Sequence, residues 1–258
     1  MKRLISTLLF ASLLFMSGYA RTYVLATGVS NYGKDDVNLT QTTKDAKRFK
    51  ELMSTQSKDV SLLTGRNVTK DNVLKQIRTI CSQARKGDRI IFFYSGHGMP
   101  GAICGYDRPI PYSELTSVLA SSQADEKFCF IDACHAGTMV DSANKSADQS
   151  GVKNGQITFA DYSDEWTKAV KDNQGQIFFV SCRPDEYSVE SQFLGAGFFT
   201  QALLKGMRGK ADKDNNRNIT VMELFRYVYG DVLKKSNKKQ HPQLIAPKNM
   251  YDVTVTSW

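Results

Sequence analysis

Ile90-Ile91-Phe92-Phe93-Tyr94-Ser95-Gly96-His97-Gly98 is an apolar run that ends in a histidine flanked by two glycines. Four consecutive large apolar side chains with no polar alternation fit a strand buried on both faces, as in the interior of a parallel sheet. A second block repeats the pattern: Phe128-Cys129-Phe130-Ile131 runs into Asp132-Ala133-Cys134-His135-Ala136-Gly137. Open parallel sheets bind ligands beyond the carboxyl ends of their strands. If the two strands are neighbours, the imidazole of His97 and the thiol of Cys134 face one crevice, as a cysteine nucleophile and its base require.

Outward from these blocks, strand-like runs alternate with helical periodicity. Tyr23 to Gly28 reads as a strand, and Thr42 to Met53 as a helix with Ala46, Phe49, Leu52 and Met53 on one face. Val60 to Leu63 is a short strand; Thr69 caps a helix to about Ala84, with Val73, Ile77 and Ile80 inward. A helix near Tyr112 to Ala120 precedes the Cys134 strand. Residues 138–175 break the rhythm, being polar and much longer than an ordinary connection. Then come a strand at Gln176 to Ser181, helices at about Gly197 to Gly206 and Thr220 to Lys235, and a closing strand at Tyr251 to Thr256. Such alternation predicts an α/β fold, a three-layer αβα sandwich on a mostly parallel sheet of about six strands.

The chain has 258 residues, enough for one large α/β domain. Lys2-Arg3, the apolar stretch Leu4 to Met16 and the small-x-small Gly18-Tyr19-Ala20 form an export signal, with cleavage expected near Ala20. Residues 1–20 are therefore set apart from a domain at 21–258, divided into a large part (21–137), a linker loop (138–175) and a small part (176–258). The expected destination is periplasmic or extracellular. The apolar stretch Leu4 to Met16 is shorter than the about 20 residues a spanning helix needs, so stable membrane insertion is not expected. Losing Lys2 and Arg3 takes the basic count from 34 to 32 against 26 acidic residues, leaving +6. The lysines are scattered, with no basic run interleaved with aromatics, which argues against nucleic acid as a partner. Five widely spaced cysteines, with no C-x-x-C pair, leave at least one thiol outside any intrachain disulfide and suggest no zinc site.

With three histidines in the chain, the choice of base is nearly forced. His135 follows the thiol directly and should project away from it, and His241 precedes Pro242 in a loop, which leaves His97. The thiolate would attack a carbonyl, and the oxyanion needs preset donors; the backbone N–H groups of Gly98 and Cys134 are the natural pair. No third residue stands out to orient His97, so a dyad is expected. A serine hydrolase using Ser95 fails, because Tyr-Ser-Gly-His-Gly is not a G-x-S-x-G elbow.

These blocks, with Lys44-Asp45-Ala46, Ser181-Cys182-Arg183-Pro184-Asp185-Glu186-Tyr187-Ser188 and Gly197-Phe198-Phe199-Thr200, resemble the caspase-like cysteine peptidases, closest to bacterial metacaspase-like proteins. The resemblance implies the caspase-hemoglobinase fold, protein or peptide substrates, His97 as base and Cys134 as nucleophile. Ala136 stands where a serine is common. In metacaspases acidic groups hold an Arg or Lys before the scissile bond. The matching positions, Asp45, Ser95 and Asp132, with Ser181 and Arg183 on the neighbouring strand, form the expected substrate pocket. Cleavage after Arg or Lys follows; Arg183 supports the alternative, acidic specificity. Basic residues in the 138–175 loop offer points for self-processing. The competing reading from another class is a catalytically silent caspase-like binding module.

No cofactor is required by this chemistry. One loop nonetheless places Asp212, Asp214, Asn216, Asn218 and Glu223 at the oxygen-ligand positions of an EF-hand, with Arg217 where that loop uses glycine. A capping box, Thr220 with Glu223, explains the same residues without calcium. The sequence leaves oligomeric state and physiological substrate open.

Overall fold

A computed structural model of the chain describes residues 20–33, 38–133, 151–153, 156–158, 175–183, 190–191 and 196–258. In chain order the elements are β1 (Thr22–Gly28), α1 (Thr42–Met53), β2 (Asp59–Thr64), α2 (Lys70–Gln83), β3 (Arg89–Ser95), β4 (Gly98–Met99), β5 (Ala102–Cys104), β6 (Pro109–Pro111), α3 (Tyr112–Ala120) and β7 (Glu126–Asp132). There follow β8 (Gly151–Lys153), β9 (Gln156–Thr158), β10 (Gln176–Val180), β11 (Glu190–Ser191), β12 (Ala196–Gly197), α4 (Phe198–Lys205), β13 (Asn218–Thr220), α5 (Val221–Lys235), β14 (Gln243–Ile245) and β15 (Thr254–Ser257).

The central sheet has six strands in the order β14-β10-β7-β3-β1-β2. All neighbours are parallel except the edge strand β14, which runs antiparallel to β10. β3 and β7 are adjacent, as the two sequence blocks require, with Ser95 opposite Asp132; on the other side Gly28 lies opposite Ser95. The carboxyl ends of β1, β3 and β7 are thus level. The order reverses between β1 and β3, and the crevice at such a switch point is where this class of sheet binds ligands.

Both faces of the sheet are buried. On one, Leu25, Ile90, Phe92, Tyr94, Cys129 and Ile131 pack under α2 and α3; on the other, Val24, Ile91, Phe93, Phe128, Phe130 and Phe179 pack under α1, α4 and α5. This explains the unbroken apolar runs: alternate residues feed two different cores. Helix boundaries follow local signals. Thr69 caps α2 by accepting from the Asn72 N–H, and Thr220 with Glu223 forms the expected capping box of α5. Cys81 and Cys129 are buried free thiols, and no helix among the described residues is long and apolar enough to cross a membrane.

The expected closing strand is corrected. It covers Thr254–Ser257 and pairs with β13 in a separate two-stranded sheet; the sixth place in the central sheet goes to Gln243–Ile245. Three residues carry too little periodicity to be read as a strand from sequence. Most of the 138–175 loop lies outside the described residues, which include its hairpin β8–β9.

The aromatic layer under α1 carries much of the packing. Phe130 is fully buried, with ring centroids 5.8 Å from Phe49 and 5.1 Å from Phe179. Phe130→Ala is expected to lower unfolding free energy by about 3–5 kcal/mol, read from the urea midpoint at unchanged slope.

Candidate active site

The carboxyl edge of β1, β3 and β7 gathers the side chains singled out from sequence. His97 follows β3 after Gly96 and is half-buried. Its backbone is held on both sides. The His97 N–H donates to the Tyr32 hydroxyl (2.8 Å), while the His97 C=O accepts from the Tyr94 hydroxyl (2.7 Å) and the Cys104 N–H (2.9 Å). Burial pushes the Tyr94 phenol well above its ordinary pKa, with the neighbouring Tyr32 adding to the shift, so it stays a neutral donor. A methyl group on Gly96 would collide with both tyrosine hydroxyls, which is why this position needs glycine. Sequence reasoning found no group orienting His97; Tyr32 and Tyr94 were missed. The available signal was placement: Asn31-Tyr32-Gly33 leaves β1 at the level where His97 leaves β3.

The Cys104 N–H bond to the His97 C=O makes Gly98 and Ile103 a non-hydrogen-bonded pair in the β4–β5 ladder. The ladder therefore turns the Gly98 N–H away from β5, as an oxyanion donor requires.

Cys134 lies outside the described residues, but the residue before it does not. Ser181, fully buried at the end of β10, accepts from the Ala133 N–H (3.1 Å) and donates to the Ala133 C=O (2.9 Å). The Cys182 thiol also donates to that carbonyl (3.4 Å), and the Gln240 side chain donates to the Ser181 C=O (2.8 Å). Ser181 was expected to line the substrate pocket; in the fold it clamps the peptide entering Cys134.

Asp45, Ser95 and Asp132 are all buried, at 1%, 1% and 5% exposure. As a helix residue Asp45 could have been an exposed surface charge; instead it sits in the first turn of α1, where the helix dipole favours an anion. Its Oδ2 accepts from Ser95 Oγ (3.4 Å) and the Gly197 N–H (3.3 Å), with the Arg48 guanidinium 4.0 Å from Oδ1. Asp132 Oδ2 accepts from the Thr200 N–H (3.1 Å) and Thr200 Oγ1 (2.6 Å), capping α4 from a distant strand. Gly197 separates the two carboxylates: it donates to Asp45, and a side chain there would strike Asp132. Gly197 and Thr200 belong to a segment quoted for the resemblance, but no sequence signal gave them these roles. Arg183 is half-buried just beyond the end of β10.

The candidate metal-site residues lie elsewhere: Asp212, Asp214 and Asn216 in the loop leading to β13, Asn218 at the start of β13 and Glu223 in the first turn of α5. The β13–β15 pair is tied to the amino end of β3, where Arg89 donates to the C=O groups of Val255 (3.0 Å) and Thr254 (2.6 Å). One carboxylate oxygen each from Asp212, Asp214 and Glu223 lies within 4.8 Å of the others. Asn216 and Asn218 close the turn itself: Asn216 Oδ1 accepts from the Asn218 N–H (2.7 Å), and Asn218 Oδ1 accepts from Ser257 Oγ (2.8 Å). Arg217 takes the left-handed backbone (φ 65°) that glycine would adopt without strain. Burial pushes the Asp212 and Glu223 carboxyls up, but hydrogen bonds outweigh it and hold both below their usual values: to Asp212 from the Arg217 N–H and the Trp258 indole, to Glu223 from Thr220 and Lys213. The three-carboxylate cluster and the capping box of α5 therefore share Glu223. A separate polar cavity of about 1130 Å³, lined by residues including Arg21, Asp59, Cys81, Arg85, Lys86 and Asp88, opens at the amino edge of the sheet, opposite His97.

Comparison with known proteins gives the architecture a family. Residues 21–251 match the model of the caspase domain. A probable protease of a Desulfuromonadales bacterium is 24% identical over 261 residues; the match covers 83% of this chain but 30% of the relative. Among solved structures, a Geobacter sulfurreducens protein superposes with a TM-score of 0.62 at 18% identity, covering 92% of this chain and 99% of the other. Caspase-1 from Spodoptera frugiperda gives 0.58 at 15% identity, covering 88% and 87%.

Ser181→Ala removes both hydrogen bonds to Ala133 inside the protein. A cost of about 1–3 kcal/mol is expected, seen as a fall in melting temperature of a few degrees, whereas no change would mean that a neighbour replaces the clamp. The buried capping of α4 by Asp132, the burial of Asp45, the adjacency of the His97 and Cys134 strands and the family match together place this chain in the caspase domain family.

Proposed function

We propose that this chain is an exported cysteine endopeptidase that cleaves after Arg or Lys, with His97 as general base and acid and Cys134 as nucleophile. The observation that carries this reading is the register of the sheet: β3, which ends two residues before His97, lies beside β7, which ends two residues before Cys134, with Ser95 opposite Asp132. His97 takes the thiol proton as Sγ attacks the scissile carbonyl. The oxyanion then accepts from the N–H groups of Gly98 and Cys134, a class of donor worth roughly 10²–10³ in turnover. His97 returns the proton to the departing amine, and water hydrolyses the thioester with His97 again as base.

Support for basic specificity comes from two buried carboxylates on either side of Gly197: Asp45, which accepts from Ser95 and Gly197 and lies 4.0 Å from the Arg48 guanidinium, and Asp132, which accepts from Thr200. Two such charges favour a cationic substrate side chain, and a guanidinium pairs with a carboxylate bidentately. Export is supported by the family match starting at residue 21, and by the ties of Arg21 to Asp88 through its N–H (2.8 Å) and to Asp59 through its guanidinium (2.9 Å). Self-processing in the 138–175 loop belongs to the same proposal.

The test is hydrolysis of matched peptides ending in Arg, Lys and Asp by residues 21–258. Turnover after Arg or Lys that Cys134→Ala abolishes is the expected result. Preference for Asp would shift the pocket to Arg183, and no turnover of any peptide would favour the silent binding module. Fragments from the 138–175 loop should appear in wild type and be absent from Cys134→Ala.

A further inference from the structure

Tyr32 and Tyr94 close a ring of hydrogen bonds around the His97 peptide. A phenol has one proton to give. The Tyr94 hydroxyl has the His97 and Cys104 carbonyls both at 2.7 Å, so its proton goes to them. In the 3.3 Å contact between the two hydroxyls Tyr32 is therefore the donor, and its oxygen accepts from the His97 N–H. The donors run in one direction: His97 N–H to Tyr32, Tyr32 to Tyr94, Tyr94 to the His97 C=O. Such chains polarise one another and are stiffer than isolated bonds. The Tyr32 ring also lies against the imidazole, with centroids 4.8 Å apart at 42°.

This arrangement answers a problem the sequence itself creates. Glycines on both sides of His97 allow close approach of a substrate, and they also leave the histidine backbone free to wander. A base must be held to about 0.5 Å, and a misplacement near 1 Å can cost about 10²-fold. Tyr32 comes from the connection after β1, across the switch-point crevice, and its own N–H is fixed by Asn38 Oδ1 at 2.9 Å. Its hydroxyl reaches a peptide 65 residues further along the chain rather than its own loop.

We propose that Tyr32 is a positioning residue for the reaction: its hydroxyl fixes the His97 backbone and its ring fixes the imidazole plane, so that the base meets Cys134 in one orientation. This rests on His97 being the base. Tyr32→Phe keeps the ring and removes the acceptor, Tyr32→Ala removes both, and Tyr94→Phe removes the donor to the His97 C=O.

The experiment combines three readouts on these variants: amide hydrogen exchange at His97 with Phe93 in β3 as internal reference, the rate of Cys134 alkylation by iodoacetamide read by mass spectrometry, and steady-state kinetics. Tyr32→Phe should speed exchange at His97 while leaving Phe93 unchanged, slow alkylation of Cys134, and lower kcat roughly 10-fold with KM nearly constant. Tyr32→Ala should lower kcat roughly 10²-fold, with Phe at that position restoring part of the loss. Tyr94→Phe should move exchange and alkylation in the same direction. Unchanged exchange at His97 and unchanged alkylation would overturn the proposal, as would loss of protection shared equally by Phe93, which would mark a role in the fold alone. If wild type hydrolyses no peptide, the peptidase reading fails by itself, and exchange with alkylation still decides the role of Tyr32.

Discussion

The level carboxyl edge of β1, β3 and β7 is the constraint on which the rest of the site depends. Gly28, Ser95 and Asp132 lie side by side because each strand is buried on both faces. A one-residue slip would exchange every residue between two cores of different shape. Phe49 stacked on Phe93 at 4.4 Å, and Phe130 between Phe49 and Phe179, lock that register from one face. His97 and the peptide entering Cys134 thus inherit their places from apolar packing, before any polar contact is made.

Polar contacts then refine what packing sets. The ends of β3 and β7 and the buried carboxylates are finished by groups from elsewhere in the sequence: the Tyr32 hydroxyl at His97, Ser181 at Ala133, Thr200 at Asp132 and the Gly197 N–H at Asp45. Each satisfies a group that burial would otherwise leave costly. The same logic explains why Asp45 and Asp132 tolerate the interior. Both sit where a helix begins, and both accept hydrogen bonds from backbone N–H or hydroxyl groups.

The parallel sheet and the helix faces were legible because apolar patterning is a local signal, whereas the adjacency of the His97 and Cys134 strands was only a condition until the sheet order was known. Ile90 to Phe93 and Phe128 to Ile131 fit strands buried on both faces, and Thr69 and Thr220 announced their helices. Contacts between residues far apart in sequence were not legible. Nothing around Tyr32 points to His97, and nothing around Thr200 points to Asp132, since each contact exists only once the sheet has assembled. The edge strand β14 escaped for a different reason: at three residues, Gln243–Ile245 carries no readable period, and its place is decided by β10.

The central claim is that a thiol at Cys134 reacts because an imidazole at His97 faces it. Its most direct test is covalent trapping with a peptidyl chloromethylketone ending in Arg, followed by mapping of the modified residue. The account predicts a single adduct at Cys134, formed many-fold more slowly in His97→Ala. An adduct at Cys81, Cys104, Cys129 or Cys182, or an equal rate without the imidazole, would contradict it.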